Sequence, residues 1–415
     1  MTPTNGAASN VAAPSRTTTT TTSAPRWTPD LCAIAGIGTS AYSKASGTSV
    51  TDLAAEAALA AIRDAGLEPG DIDGLIRSDY DEVSQVALAD ALGADDIAYW
   101  GQNGPGGSGP AAMVGQAVAA ILSGQATTVL VYRALNGRSG RRLGKGVVAD
   151  GGVGGASSYL ELFSPYGMTS PGQFFAMLTR RHMEEYGLTS EALAEIAMVC
   201  RRRANANPAA QMYERTMGPD EYYDSRMIAD PLRLFDFCLE TDGAAALVVT
   251  TTERARDLAQ PPALIRSVAQ GTGQRVGPGQ MYPVLMGEDL RTLTSRRVAQ
   301  RLFERAGMSP SDVDVAQLYD CFTVTVYLQL ADYGFCDLAD ASDFAVSGAL
   351  DLGGKLPINT AGGQLSEAYI HGMNHIVEGV RQIRGTSTSQ VPGAEVSLVT
   401  SAPPPGASAL LLVAS

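Results

Sequence analysis

The chain reads as an α/β protein made of two halves of one topology packed against each other. Three observations predict this. Its 415 residues exceed the reach of a single hydrophobic core. Short apolar runs alternate with stretches of helical periodicity, the pattern of βαβ units. Finally, Ala65-Gly-Leu-Glu-Pro-Gly-Asp-Ile-Asp73 recurs as Ala306-Gly-Met-Ser-Pro-Ser-Asp-Val-Asp314, and both copies follow an Ala- and Arg-rich helical stretch and precede an apolar run. One repeat at that separation points to duplicated halves and not to a solenoid.

Residues 1–28 are dominated by Thr, Ser, Ala and Pro, with six consecutive threonines at 17–22. Such a segment buries too little apolar surface to offset its ordering entropy, so a disordered tail is expected. The first half is placed at 29–258. It opens on a short buried strand from Leu31, followed by an amphipathic helix over Ser49–Ala65 that Gly66 stops and Pro69 cannot continue. A strand at Ile72–Ile76 comes next. Gly104-Pro-Gly-Gly-Ser-Gly-Pro110 then leads into a helix over Ala111–Leu122, and a strand runs from Thr127. Residues 136–228, with a helix over Glu191–Ala206, read as an inserted cap, and Ala244–Thr251 closes the half as a strand. The second half, 259–415, opens on a strand at Ala263–Val268 and ends on one at Ala409–Ala414. Its centre is Val315-Ala-Gln-Leu-Tyr-Asp-Cys-Phe322, a buried strand that runs into a helix through Tyr319, Asp320 and Cys321. Strand-to-helix corners are where open α/β sheets aim side chains into a crevice.

Composition narrows the function. A formal charge of −13 argues against nucleic acid or an anionic membrane surface as the main partner. Two basic groups, Arg138/Arg141/Arg142/Lys145 and Arg201-Arg202-Arg203, are expected to be solvated surface. Five scattered cysteines suit reduced thiols in a cytoplasm. No metal is expected: CxxC and HExxH spacings are absent, and His371 and His375, four apart, are expected to share only a helix face. The three lysines, Lys44, Lys145 and Lys355, lie in polar Gly/Ser-rich settings unsuited to imine chemistry. No apolar run approaches the ~20 residues of a membrane span.

Several separated motifs resemble the thiolase superfamily, most closely its lipid-transfer-protein and sterol-carrier-protein-x branch. They are the AG-x-x-P-x-D-[IV]-D repeat, Asp230-Pro-Leu-Arg-Leu-Phe-Asp236 leading to Thr241-Asp-Gly-Ala-Ala-Ala246, Tyr319-Asp-Cys-Phe322, and Asn359-x-x-Gly-Gly363. The resemblance covers about residues 30–415. It implies two βαβαβαββ halves in a five-layer αβαβα sandwich. It also exposes changed positions. Where the branch carries a nucleophilic cysteine in Cys-Ser-x-Gly, this chain has Gly106-Gly107-Ser108-Gly109. Tyr369 stands for the histidine of the Gly-His-Pro loop, Tyr319 for the Asn or His before Asp/Glu-x-Phe, and Ser401-Ala-Pro-Pro-Pro-Gly406 for the terminal Cys-Gly. Without a cysteine at Gly106 an acyl group has no carrier, so thiolysis by covalent catalysis is excluded. The missing side chain is expected to leave room there for a larger acyl group.

Retro-aldol cleavage of a β-hydroxyacyl-CoA passes through the same thioester enolate and needs no nucleophile. It needs proton transfer at the β-hydroxyl and at the enolate carbon, and a site for the thioester oxygen. Tyr319 and Tyr369 are the candidate proton-transfer pair, with a water or His371 as a possible relay. Asp320, Cys321 and Asn359 are expected in support, and Gly362 and Gly363 as turn geometry. The pattern resembles the steroid side-chain aldolases of the superfamily. That resemblance implies a 17-hydroxy steroid 20-carboxyl-CoA thioester as substrate, a 17-ketosteroid and propionyl-CoA as products, and no cofactor beyond the substrate's own CoA. It further implies a homodimer core with a small OB-fold acyl-CoA-associated protein. The alternatives are a non-catalytic acyl-CoA-binding scaffold and an acetyl-CoA acyltransferase.

Overall fold

The computed structural model describes residues 27–140, 142, 163–272, 289–402 and 406–415. Most of the expected tail, Arg141, Lys145 and the proline run after Ala402 lie outside the described residues. Trp27, counted with the tail on composition, donates its indole N–H to the Arg266 carbonyl at 2.9 Å.

The first half runs β1 (Cys32–Thr39), α1 (Val50–Asp64), β2 (Gly74–Ser78), α2 (Gln85–Leu92), β3 (Tyr99–Asn103), α3 (Pro110–Leu122) and β4 (Thr128–Asn136). After helices α4 (Pro171–Glu185) and α5 (Ser190–Ala204) it closes on β5 (Asp242–Thr251). The second half is β6 (Ala263–Thr272), α6 (Ser295–Ala306), β7 (Val315–Gln317), α7 (Thr323–Asp332), α8 (Met373–Arg384), β8 (Val396–Ser401) and β9 (Gly406–Val413). The strands lie in the order β3-β2-β4-β5-β1-β6-β9-β8-β7. That row is two sheets meeting at a narrow seam, since β1 and β6 pair only through Ala33↔Leu264 and Ile34↔Ala263. On either side of the seam the order is the same. The place of β3 is taken in the second half by a single bridge, Ile358 to Ala316.

The repeated motif has a physical reason in each half. Pro69–Asp71 and Pro310–Asp312 form matching single turns. Asp71 accepts the Glu68 amide at 2.9 Å and Asp312 the Ser309 amide at 2.7 Å. The final aspartates then fasten the neighbouring parallel strand. Asp73 accepts the Thr128 amide at 2.8 Å and Asp314 the Val396 amide at 2.9 Å.

The three largest hydrophobic clusters among the described residues define five layers. α1 and α2 cover the outer face of the first sheet. α3 and α8 fill the space between the two sheets and touch both. α6, α7 and the helices α4 and α5 from the 136–228 stretch cover the outer face of the second. The expected five-layer sandwich is therefore present. The second sheet also clasps the central helix α3: Ser408 on β9 donates to the Ser108 carbonyl at 2.7 Å and accepts the Ala112 amide at 3.1 Å.

Two surface expectations need correction. Arg201 is buried, not solvated: it donates to Ser366 Oγ at 3.0 Å and stacks over the Phe235 ring. Arg202 and Arg203 both reach Asp351. Also, His371 precedes α8 with φ 53°, while His375 lies in its first turn, so the two do not share a helix face. Among the described residues, no helix is long and apolar enough to cross a membrane.

Candidate active site

Strand β7 stops at Gln317 because the next amides leave the ladder for side chains. Leu318 N donates to Asn359 Oδ1 at 2.7 Å and Tyr319 N to Thr400 Oγ1 at 2.8 Å. The Tyr319 carbonyl accepts from Gln329 Nε2 at 2.7 Å and Thr325 Oγ1 at 2.9 Å, both on α7. The backbone around Tyr319 is thus clamped from three elements, and its ring is fully buried. Tyr369 arrives from the loop between the one-turn helix Gly363–Ser366 and α8, its amide donating to Thr241 Oγ1 at 2.8 Å. The two phenol oxygens lie 3.5 Å apart.

The first half supplies the facing wall, the turn Gly106–Ser108 at the start of α3. A Cβ at Gly107 would overlap the Tyr319 hydroxyl, so glycine is required there for the close approach. A Cβ at Gly106, whose φ is +44°, would meet the Tyr80 ring. The room expected beside Gly106 is therefore occupied by Tyr80. Ser108 turns back on its own loop, donating to the Pro105 carbonyl at 2.7 Å.

Burial pushes both phenols well above their usual value near 10, and each is raised further by neighbouring ionisable groups. Both stay neutral across the physiological range. Burial and the nearby Arg133 guanidinium hold His371 well below the usual imidazole value. Its ring sits edge-to-face with Tyr369 at 4.9 Å.

Models of known families match both halves: "Thiolase, N-terminal domain" over residues 33–253 and "Thiolase C-terminal domain-like" over 281–414. The chain is a member of the thiolase family. A steroid side-chain-cleaving aldolase of Thermomonospora curvata is 45% identical over 376 residues, covering 90% of this chain and 95% of that one. A 17-hydroxy-3-oxo-4-pregnene-20-carboxyl-CoA lyase of Mycobacterium tuberculosis is 44% identical, covering 89% and 95%. A solved structure described as an Ltp2-ChsH2(DUF35) aldolase superposes with a TM-score of 0.88 at 44% identity, covering 93% of this chain and 98% of that one. Human mitochondrial 3-ketoacyl-CoA thiolase in complex with CoA shares the fold, with a TM-score of 0.67 at 13% identity.

Within this thiolase-family site the remaining candidates hold the frame. Asp320 is fully buried and accepts from His375 Nε2 at 2.8 Å, from the Gln364 amide at 2.9 Å and from the Leu365 amide at 3.2 Å. It caps the one-turn helix that leads to Tyr369. A Cβ at Gly363 would overlap the Asp320 carboxylate, which accounts for the second glycine of the Asn-x-x-Gly-Gly run. Asn359 also donates to the Leu318 carbonyl at 3.0 Å, so it zips the loop to the end of β7. Cys321 is 5% exposed, and its carbonyl accepts the Cys238 amide at 3.0 Å. Burial raises both of these thiols.

Sequence reasoning missed several parts of the site: Tyr80, the buried Asp81–Arg133 ion pair, Thr241, Thr400, His375 and Glu367. Arg133 did carry a signal. It is a charge inside the apolar run of β4, near the strand's carboxyl end, where α/β sheets place chemistry. Thr400 acts on a backbone amide, which leaves no residue pattern to read, and the Thr241–Ala246 motif did not show that Thr241 takes the Tyr369 amide.

Glu367, two residues before Tyr369, is 2% exposed and accepts from Asn374 Nδ2 at 2.9 Å. Burial pushes its carboxyl up to about 8. Its folded value lies above its unfolded one, so the folded state holds the proton while the unfolded state has lost it. Stability therefore falls as pH rises from the ordinary carboxyl range to about 8. Thermal melts of Glu367→Gln are expected to lose less Tm than wild type between about pH 6.5 and 8. An identical decline in both proteins would refute the assignment.

Proposed function

We propose that this chain is a carbon–carbon lyase that cleaves a β-hydroxyacyl-CoA by retro-aldol chemistry. The observation that carries this reading is the pair of buried, neutral phenols 3.5 Å apart, facing a turn that holds glycine where a thiolase holds its nucleophile. The substrate is a 17-hydroxy steroid bearing a three-carbon side-chain CoA thioester, and the products are the 17-ketosteroid and propionyl-CoA. The names of relatives at 44–45% identity support this substrate class.

The geometry supports a relay in place of a standing base. A phenol held well above 10 is a poor source of phenolate at neutral pH. It can, however, accept a proton on its oxygen while giving up its own. As the bond between the carbinol carbon and Cα breaks, its electron pair moves into the thioester enolate. The hydroxyl proton passes to one tyrosine, that tyrosine's proton to the other, and the second tyrosine's proton to Cα. Both phenols end neutral, and the ketone and propionyl thioester carry all the atoms. The 3.5 Å separation is long for a hydrogen bond and is expected to tighten around substrate. Acyl transfer, by contrast, calls for a thiolate, and burial raises both Cys238 and Cys321.

The assembly is a homodimer core joined to an OB-fold acyl-CoA-associated subunit. The relative described as an Ltp2-ChsH2(DUF35) aldolase supports the second partner. For the dimer the support is β3, which ends the row of strands and carries Trp100 at 63% exposure. Five free thiols suit a reducing compartment such as the cytoplasm. The test is to incubate the chain, alone and with its OB-fold partner, with the 17-hydroxy steroid CoA thioester. Equal release of 17-ketosteroid and propionyl-CoA is expected. Binding without release would leave a scaffold in place of a lyase, and sedimentation of the same samples reads the assembly.

A further inference from the structure

A buried ion pair in the first half bears on His371. Arg133 Nη1 lies 2.8 Å from Asp81 Oδ1, and both side chains are withdrawn from solvent. Asp81 is fixed in turn: Oδ1 also accepts the Ala134 amide and Oδ2 the Ser78 amide, each at 2.8 Å. Arg133 Nη1 further donates to the Ala134 carbonyl at 2.9 Å. The guanidinium is thus oriented before it meets the second half, and its remaining contact is Nε to His371 Nδ1 at 3.1 Å.

That contact decides the imidazole's state. A guanidinium N–H only donates, so Nδ1 must offer its lone pair. The ring is then neutral with its proton on Nε2, and a second proton has nowhere to go while Arg133 stays in place. Among the described residues no protein acceptor engages Nε2. The ring centroid lies 4.9 Å from that of Tyr369 and 6.0 Å from that of Tyr80, and Arg133 is the charged group that acts on it. A left-handed backbone, φ 53°, presents the side chain there, a conformation uncommon outside glycine but one that histidine adopts more readily than most residues.

We propose that Arg133, held by Asp81, is a positioning residue that fixes His371 as a neutral Nε2–H donor to the thioester oxygen. The proposal rests on the cleavage reading above and deepens it by naming the group that meets the enolate charge. Retro-aldol cleavage drives negative charge onto that oxygen, and a preoriented donor there lowers the barrier without reorganising. A neutral imidazole is the better group for this task, because it cannot protonate the enolate oxygen and trap it. His371 is thereby removed from the proton relay, which stays with the tyrosines.

The experiment uses 15N-histidine labelling. With three histidines in the chain, His182, His371 and His375, the ring-nitrogen spectrum is assignable by substitution. In the wild-type protein His371 is expected to show the Nε2–H tautomer, unchanged from about pH 6 to 8.5, where an ordinary imidazole titrates. Arg133→Lys keeps a cation for Asp81 but loses the planar fork, and is expected to release His371 into tautomer exchange. On turnover, His371→Leu is expected to lower kcat by about 10²–10³ with KM little changed. His371→Gln, which keeps an N–H near the Nε2 position, is expected to recover much of that loss.

A wild-type His371 that titrates in this range, or carries its proton on Nδ1, overturns the proposal. So does an undiminished kcat in His371→Leu. The tautomer measurement needs no turnover, and replacing His182 and His375, which lie apart from the proposed donor, assigns its signals. It therefore decides the positioning role even if wild type cleaves no steroid thioester, an outcome that would count against the lyase reading alone.

Discussion

Replacing Tyr369 by phenylalanine is expected to lower steroid-thioester cleavage by about 10²–10⁴-fold, the range for losing one proton-transfer group. The fold should be unaffected, because the Tyr369 hydroxyl has Tyr319 as its protein partner and its amide anchor to Thr241 survives. Tyr319→Phe should cost as much. In a relay each hydroxyl is useful only through the other, so the double variant is expected to be little slower than either single one. Additive losses in kcat/KM would refute the relay and leave two independent groups. The pH profile gives a second check. Both phenols are held well above 10, so no alkaline fall in kcat from their ionisation is expected below about pH 10. A fall near neutrality would point to a different titrating group.

Gly107→Ala is expected to cripple the enzyme although it adds only a methyl group. The new Cβ would overlap the Tyr319 hydroxyl, and the Ala402 carbonyl stands 2.7 Å from the same point. Tyr319 has no slack, being fully buried with its backbone held by Thr400, Thr325 and Gln329. Overpacking of this kind costs about 1–3 kcal/mol, and an ångström of misplacement in a reacting group costs on the order of a hundredfold in rate. Adding Tyr319→Phe removes one of the colliding atoms. The double variant is expected to regain part of the lost Tm and none of the activity. A Gly107→Ala enzyme with wild-type kcat would show that the Tyr319 hydroxyl does not work against this turn.

The fold was legible where it rests on local chemistry. Gly66, Pro69 and Asp71, with their copies at Gly307, Pro310 and Asp312, write turn and cap signals that hold in any context, and their recurrence exposed both halves. The corner at Tyr319 was legible as a place, yet its strand was read too long. Asn359 and Thr400, distant in sequence, draw off the amides that would have extended the ladder. Tyr319 and Tyr369 were found by comparison with the positions a thiolase uses, and the structure brings them together. Tyr80 was not legible: it matters because its ring fills the place beside Gly106, and no pattern in the sequence links two positions that meet only through the packed sheets. The burial of Arg201 escaped for a similar reason. Three consecutive arginines look solvated until one of them finds Ser366 and Phe235.

The clasp of β9 on the turn before α3 sets the order in which this enzyme comes alive. Ser108 and Ser408 are 300 residues apart in the chain and bonded in the fold. During synthesis, the first half's glycine wall leaves the ribosome long before Tyr319, and Tyr319 before the strand that clamps that wall. A nascent chain lacking β9 holds every proposed catalytic residue and is expected to leave the glycine wall unclamped. Activity is therefore expected only once β9 has been added, and a truncation at residue 400 should yield protein that is inert without losing any group proposed to touch substrate.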